Sequence, residues 1–96
     1  MIKDPLKTFV TVVEHKNLSR AAEELYLTHP DVMAQIQSLE TELDTKLVDN
    51  TANHLELTQS GEIYYQYAKQ ILILQDKAKQ EIKQLSNGVT GALKIG

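Results

Sequence analysis

The sequence predicts a mainly α-helical fold, a winged helix-turn-helix followed by a long linker helix. Three observations lead to this prediction. Two short helical patterns joined by a tight turn lie within residues 18–43, two short alternating segments follow them, and residues 59–86 form a helical pattern without proline. The 96 residues suffice for one small domain. Its core is small and aliphatic, which makes oligomerisation a reasonable expectation.

The first helix is predicted at about residues 5–16. Leu6, Phe9, Val10 and Val13 follow helical spacing, so their side chains form one apolar face. We expect this face to cover the two helices that come next in the chain.

A helix-turn-helix is predicted within residues 18–43. Ser19 is expected to cap its first helix and Thr28 its second, where Pro30 lies in the first turn and Asp31 completes the spacing of a capping box. The second helix has one buried stripe, formed by Val32, Ile36, Leu39 and Leu43. Such a helix can enter a DNA major groove, although an ordinary pair of packed helices shows the same pattern.

The period of the sequence changes after this motif. Residues 46–49 and 54–57 alternate between apolar and polar side chains, and residues 50–53 between them are turn-forming. We interpret these segments as a small β-hairpin, the wing, placed behind the second helix of the motif.

Thr58 is predicted to cap a long helix over about residues 59–86. Its apolar stripe comprises Tyr64, Tyr67, Ile71, Leu74, Ala78 and Leu85, with Ile82 beside it. A helix of this length extends about 40 Å, farther than a head of 58 residues covers. The stripe therefore predicts a partner helix, and a second copy of the chain is the simplest one.

Glycines mark the end of this helix, at Asn87-Gly88 and Gly91. Residues 93–96 then alternate like the opening of a strand. Because a lone strand has no sheet to join, we read the chain as the N-terminal piece of something longer.

The charge of the head is unusual for a nucleic-acid-binding module. The whole chain carries a formal net charge of −3, but residues 1–58 hold ten acidic against five basic side chains, a net of −5. Phosphate neutralisation normally gives a DNA-binding head a basic footprint. We therefore expect the acidic residues to occupy outer surfaces, namely Glu23, Glu24, Glu40, Glu42 and Asp44.

Several function classes are excluded by the residue content. The chain has no cysteine, its three histidines lie in different elements, and it contains neither a Gly-rich phosphate loop nor a paired acid constellation. We predict no enzyme activity, no metal site and no cofactor. No signal peptide or membrane-length segment is found, which favours a cytoplasmic protein without a membrane partner.

Taken in order, these residues carry a family likeness. The chain resembles the N-terminal DNA-binding region of LysR-type transcriptional regulators over essentially all 96 residues. The matching segments are Leu6–Ser19, Ala21–Leu25, Thr28 with Pro30, Gln35–Glu40, Glu42-Leu43, Lys46-Leu47, Leu57–Gly61 and Gly91–Gly96.

The resemblance implies three parts: a head at 1–58, a linker helix at 59–87, and at 88–96 a hinge and the first strand of a missing effector-binding domain. It implies double-stranded DNA as a partner, a homodimer or, in the full-length protein, a tetramer, and a small-molecule effector in the missing domain. The implied DNA-binding residues are Ser19, Arg20, Thr28, His29, Pro30, Met33, Ala34, Gln37, Ser38, Asn50, Asn53 and His54. The implied dimerisation residues are Tyr64, Tyr67, Ile71, Leu74, Ala78, Ile82 and Leu85.

Some positions depart from the family pattern. His29 stands where the family usually has a base-reading glutamine, Met33 where it has serine, and Ala34 where it has a basic residue. The wing also lacks the usual arginines. A second interpretation therefore stays open: a dimerisation or protein-interaction module with the same fold that has lost specific DNA binding.

Overall fold

The computed structural model describes residues 4–51 and 54–86, an elongated body of 55 × 26 × 20 Å. Its elements are α1 (Pro5–His15), α2 (Leu18–Leu25), α3 (His29–Leu43), β1 (Val48–Thr51), β2 (His54–Leu57) and α4 (Gln59–Ser86). The prediction of a mainly α-helical winged helix-turn-helix with a long following helix is confirmed. The predicted helix end and the strand at 93–96 lie outside the described residues.

Side chains that precede the first two helices cap their free N–H groups. The Asp4 carboxylate accepts from the Lys7 N–H at 3.2 Å, and the Asn17 side chain accepts from the Arg20 N–H at 2.9 Å. The second contact corrects the prediction for Ser19, which lies inside the first turn of α2. Asparagine and serine are both residue types that cap helices. Because α2 begins at Leu18, earlier than expected, Asn17 takes the cap position in place of Ser19.

Each of the three head helices ends at a residue in the left-handed region. Lys16 follows α1 with φ 55°, Tyr26 follows α2 with φ 58°, and Asp44 follows α3 with φ 55°. Their N–H groups turn back onto carbonyls of the preceding turn, which ends the helix in each case. The Tyr26 side chain is 95% exposed.

The core lies where the three head helices meet the start of α4. Its fully buried side chains are Phe9, Val12, Ala21, Val32, Ile36, Leu47 and Ala68. A buried hydrogen bond from the Thr8 hydroxyl to the Gln35 side-chain oxygen, 2.7 Å long, links α1 to α3. Leu43 departs from the predicted stripe because it lies 41% exposed at the end of α3.

The wing is an antiparallel pair in which Val48 lies opposite Leu57. Its first strand begins two residues later than the segment predicted at 46–49. The reason is that the preceding backbone has other partners: the Leu47 N–H donates to the Glu40 carboxylate, and the Lys46 carbonyl accepts from the Thr58 hydroxyl. Groups engaged in this way cannot join the strand ladder.

The predicted cap of the long helix is confirmed. The Thr58 hydroxyl oxygen accepts from the Gly61 N–H at 3.0 Å, while its proton goes to the Lys46 carbonyl at 2.6 Å. Gly61 in this first turn lies directly against the Leu47 carbonyl. A Cβ atom at position 61 would overlap that backbone oxygen, so the helix and the wing meet only because this residue is glycine.

The first half of α4 packs on the head. The Tyr64 ring lies 5.5 Å from the Phe9 ring, so this residue of the predicted dimer stripe is used within the head. The Tyr65 hydroxyl donates to the Glu14 carboxylate at 3.5 Å, and Lys69 lies 5.1 Å above the Tyr65 ring. Burial, together with the Glu14 carboxylate, raises the pKa of Tyr65, which keeps its hydroxyl protonated as a donor.

Gly61→Ala should destabilise the head. The added methyl group meets a backbone oxygen that cannot rotate away, so α4 must shift, and overpacking of this kind costs about 1–3 kcal/mol. Chemical denaturation followed by circular dichroism measures the loss. Gln59→Ala, an exposed position in the same turn, is the matched control and should change stability little. Equal stability of the Gly61→Ala and wild-type chains would contradict the close approach.

Candidate nucleic-acid interface

The start of α3 is held by reciprocal hydrogen bonds between two side chains and the backbone. The Thr28 hydroxyl accepts from the Asp31 N–H at 3.2 Å, and the Asp31 carboxylate accepts from the Thr28 N–H at 3.4 Å. This confirms the predicted capping box, with Pro30 in the first turn where it lacks no required N–H. The first turn of α3 therefore has a defined position on the surface of the head.

One face of α3 is buried and the opposite face is open to solvent. Val32, Ile36 and Leu39 lie in the core. The open face consists of Asp31, Ala34, Gln37, Ser38 and Thr41, preceded by the exposed Thr28, His29 and Pro30. Met33 differs from the other residues predicted for this surface, because it is partly buried and packs against the core.

The first turn of α2 adds the exposed side chains of Ser19 and Arg20. Within the described part of the chain, no ion pair engages the Arg20 guanidinium. A guanidinium without a partner is available to an anion such as a phosphate group.

The structure describes the backbone of both wing strands, but not the side chains that are predicted to contact DNA. Asn50 and His54 lie in β1 and β2, where their side chains are outside the described residues, as is the whole of Asn53. Their assignment to DNA binding stays a prediction.

Glu23, Glu42 and Asp44 are exposed as expected, whereas other acidic residues of the head are used in contacts within the protein. Glu40 was expected on an outer surface, but its carboxylate accepts from the N–H groups of Leu47 at 2.8 Å and Val48 at 3.2 Å. Glu24 lies 3.1 Å from the His15 ring. Among the exposed residues in the first three turns of α3, Asp31 is the acidic one.

Besides Asp4 at the start of α1, three residues with structural roles were missed at the sequence level. Asn17 caps α2, Gln35 completes the buried pair with Thr8, and Glu40 holds the chain that leaves α3. Asn17 carries a recognisable signal, since asparagine is a strong cap former. The partners of Gln35 and Glu40 depend on the tertiary fold and have no comparable local signal.

One face of α4, from Ile63 to Leu85, is an uncovered apolar surface, which we call the outer stripe. Its most exposed members reach 63–65%, and Ile71 is 41% exposed. Ile63 and Tyr67 form its start beside the head. There they line a shallow groove together with Leu43 at the end of α3. The outer stripe consists of Ile63, Tyr67, Ile71, Leu74, Ala78, Ile82 and Leu85.

Two further classes of site were sought in residues 4–51 and 54–86. These residues contain no group of three or more His, Cys, Asp or Glu side chains placed to hold a metal ion. None of their helices combines the length and the apolar character that a bilayer span requires.

Comparisons with known proteins all lead to one family. Residues 4–62 match the family of bacterial regulatory helix-turn-helix proteins of the lysR type. The transcriptional regulator CysL of Bacillus subtilis is 44% identical over 95 residues, which are 99% of this chain and 32% of that protein. The chain thus spans about a third of the length of this relative.

Solved structures of similar proteins include complexes with DNA. BenM_DBD in complex with catB site 1 DNA has a TM-score of 0.84 and 33% identity, covering 92% of this chain and 99% of that one. Full-length CbnR in complex with its target DNA has a TM-score of 0.76 and 30% identity, covering 88% of this chain and 29% of that one.

Thr28→Ala should lower the stability of the head by about 0.5–2 kcal/mol, because the first turn of α3 loses its cap. For a domain of this size, 1 kcal/mol corresponds to a fall in Tm of about 4–8 °C. Thermal denaturation measures the change, and Thr28→Ser should restore most of it. Ser38→Ala, an exposed position inside the same helix, serves as control. Equal Tm values for Thr28→Ala and the wild type would contradict a stabilising role of the Thr28 cap.

Proposed function

The chain belongs to the LysR family of bacterial regulatory helix-turn-helix proteins, and on this premise we propose that it is the DNA-binding part of a cytoplasmic transcriptional regulator. In this proposal α3 enters the major groove of double-stranded DNA with its open face toward the bases. The first turn of α2 and the wing lie along the phosphate backbone on either side.

The observation that carries this proposal is the division of α3 into a buried and an open face. The buried face fixes the helix to the core, and the capping box fixes its first turn. The open face contains small and polar groups that can approach base edges, such as Ala34, Gln37 and Ser38. Similar chains of known structure, BenM_DBD among them, are bound to DNA.

The acidic charge of the head does not prevent this role. Glu40 is turned toward the backbone of the wing, Glu24 faces His15, and Glu14 receives the Tyr65 hydroxyl on the α4 side. These carboxylates therefore have partners away from the open face of α3. Arg20 is exposed at the start of α2, where its charge is available to a phosphate.

We further propose that two copies of the chain pair through the outer stripe. Beyond the first turns of α4, the seven side chains of the outer stripe are not covered by their own chain. Soluble proteins rarely leave so continuous an apolar surface exposed. Pairing α4 with its equivalent places two heads on one DNA site, and the resulting effective concentration compensates for weak binding by a single head. A tetramer in the full-length protein is built on the same pair.

A small-molecule effector completes the proposal. The chain spans about a third of its relative CysL, which supports a further domain after α4 in the whole regulator. In the proposed arrangement that domain binds the effector, and α4 connects it to the DNA-binding head.

Arg20→Gln should weaken DNA binding to cognate and scrambled duplexes alike. The side chain would contact a phosphate, which carries no sequence information, so the salt dependence of binding should fall by about one unit of slope. Fluorescence anisotropy at several salt concentrations measures both effects, on duplexes selected from a random pool.

The control for this experiment is Lys79→Gln, which removes the same charge from an exposed position far along α4. It should leave the slope unchanged. If the wild-type chain binds no duplex even at low salt, the proposal fails, and the interaction module becomes the better description.

Leu74→Glu should separate the two copies. An unpaired charge buried in an apolar interface costs about 3–5 kcal/mol, which raises the dissociation constant of the dimer roughly 100-fold or more. Light scattering coupled to size exclusion, over a series of protein concentrations, measures the molecular mass.

The adjacent residue supplies the matched control, because Ile73 is also exposed, at 54%, but points away from the outer stripe. Ile73→Glu should remain dimeric. Even a weak dimer should persist at a concentration of roughly tens of micromolar. A wild-type chain that is monomeric at this concentration would rule out pairing through α4.

A further inference from the structure

Asp31 carries a carboxylate into the surface that α3 would present to DNA. Building on the proposed DNA-binding function, we propose that this carboxylate is a specificity determinant that selects cytosine at one position of the site. It also opposes binding to DNA that lacks this base. Three features of Asp31 support this role: the position of its carboxylate, the oxygen that the cap leaves free, and the lack of lysine and arginine on α3.

The position of the carboxylate is restricted by the capping box. The Asp31 N–H is bound to the Thr28 hydroxyl, and carboxylate Oδ2 is bound to the Thr28 N–H. Two contacts to the same residue limit the rotation of the side chain. The carboxylate is therefore held at the first turn of α3, the part of a recognition helix that most often reaches base edges.

The second oxygen of this carboxylate is available to a ligand. Oδ2 has the capping contact, whereas Oδ1 has no hydrogen-bond partner within residues 4–51 and 54–86. Asp31 is an exposed residue, so solvent and ligands have access to its side chain. An ionised carboxylate only accepts hydrogen bonds, and it therefore requires a donor from the DNA.

Cytosine is the base that supplies this donor with the least opposition. Its N4 amino group is a donor in the major groove, and carboxylates are known to accept from it. Guanine offers the acceptors N7 and O6, and thymine offers O4, so both repel the carboxylate. Adenine has a donor at N6, but its N7 acceptor lies beside it. The order of preference at the contacted position is cytosine, then adenine, with guanine and thymine disfavoured.

No cation on the same helix offsets the charge of Asp31. Residues 29–43 contain neither lysine nor arginine, and Ala34, one turn farther along the open face, has only a methyl group. The carboxylate therefore meets the DNA phosphates with its full charge, a repulsion that applies to every sequence. A matching cytosine contact compensates for this repulsion, and a mismatched base does not, so Asp31 lowers affinity while raising discrimination.

Replacement by asparagine separates these two effects. Asp31→Asn keeps a side-chain oxygen for the Thr28 N–H and removes the charge, and Asp31→Gln does the same with a residue that is favoured in capping boxes. An amide also carries donors, which pair with the guanine, thymine and adenine acceptors. The neutral variants should therefore bind scrambled duplexes more tightly and lose the cytosine preference by roughly tenfold.

The matched control is Asp44→Asn, the same substitution at the other end of α3. Asp44 is exposed and in the left-handed region, which asparagine also tolerates. It lies about three and a half turns from Asp31, away from the end of the helix that would reach base edges, so this variant should keep the wild-type base preference.

The experiment selects duplexes from a random pool with the wild-type chain, the two neutral variants and the Asp44→Asn control. Anisotropy then measures each protein on the selected duplex and on the three duplexes that carry another base at the cytosine position. Circular dichroism gives the Tm of each variant, and if Asp31→Asn unfolds more easily, Asp31→Gln provides the reading. We expect cytosine enrichment for the wild type and the control only.

Two results would overturn the inference. One is a neutral variant with the same base preference as the wild type, and the other is a wild-type preference for guanine or thymine wherever the neutral variants differ from it. A wild-type chain that selects no sequence at all is a different result, because it removes the proposed DNA-binding function and the role of Asp31 with it.

Discussion

The backbone of Leu47 is the junction on which the rest of the structure depends. Its N–H donates to the Glu40 carboxylate at 2.8 Å, its carbonyl accepts from the Thr58 N–H at 3.0 Å, and Gly61 packs against the same carbonyl. The Leu47 side chain is fully buried. One residue thus joins the end of α3, the entry to the wing and the start of α4, so these elements keep a fixed relation to one another.

This junction explains how a small aliphatic core supports a long helix. Ala68 and the Tyr64 ring bring one side of α4 into the core, where Phe9 receives the aromatic contact. Tyr65 adds a polar contact to α1 through Glu14. The helix therefore leaves the head in a direction set by packing on one side and by the wing on the other. These contacts define how the start of the outer stripe lies relative to the open face of α3. In the proposed dimer, the spacing of the two heads would follow from the pairing of the two helices.

The sequence was informative wherever the signal was local. The cap at Thr28, the long helix and the division of α3 into two faces were predicted, because spacing and cap chemistry are properties of neighbouring residues. The choice of Ser19 over Asn17 failed, since adjacent cap formers differ only in where the helix begins. The role of Glu40 and the position of Tyr64 depend on contacts between distant segments, as does the start of the wing. The DNA contacts themselves stay predictions, because side chains on an open face have no partner in the free protein that reveals their role.

The left-handed residues at the ends of the three head helices have a consequence for how this protein can change. Lys16, Tyr26 and Asp44 adopt a backbone conformation that disfavours residues with a Cβ atom. None of these positions belongs to the core, and the side chain of Tyr26 is almost entirely in solvent. Glycine or asparagine at any one of these positions would therefore relieve backbone strain and raise the stability of the head. A substitution on the open face of α3 that lowers stability can be offset at these helix ends, without altering that face or the outer stripe.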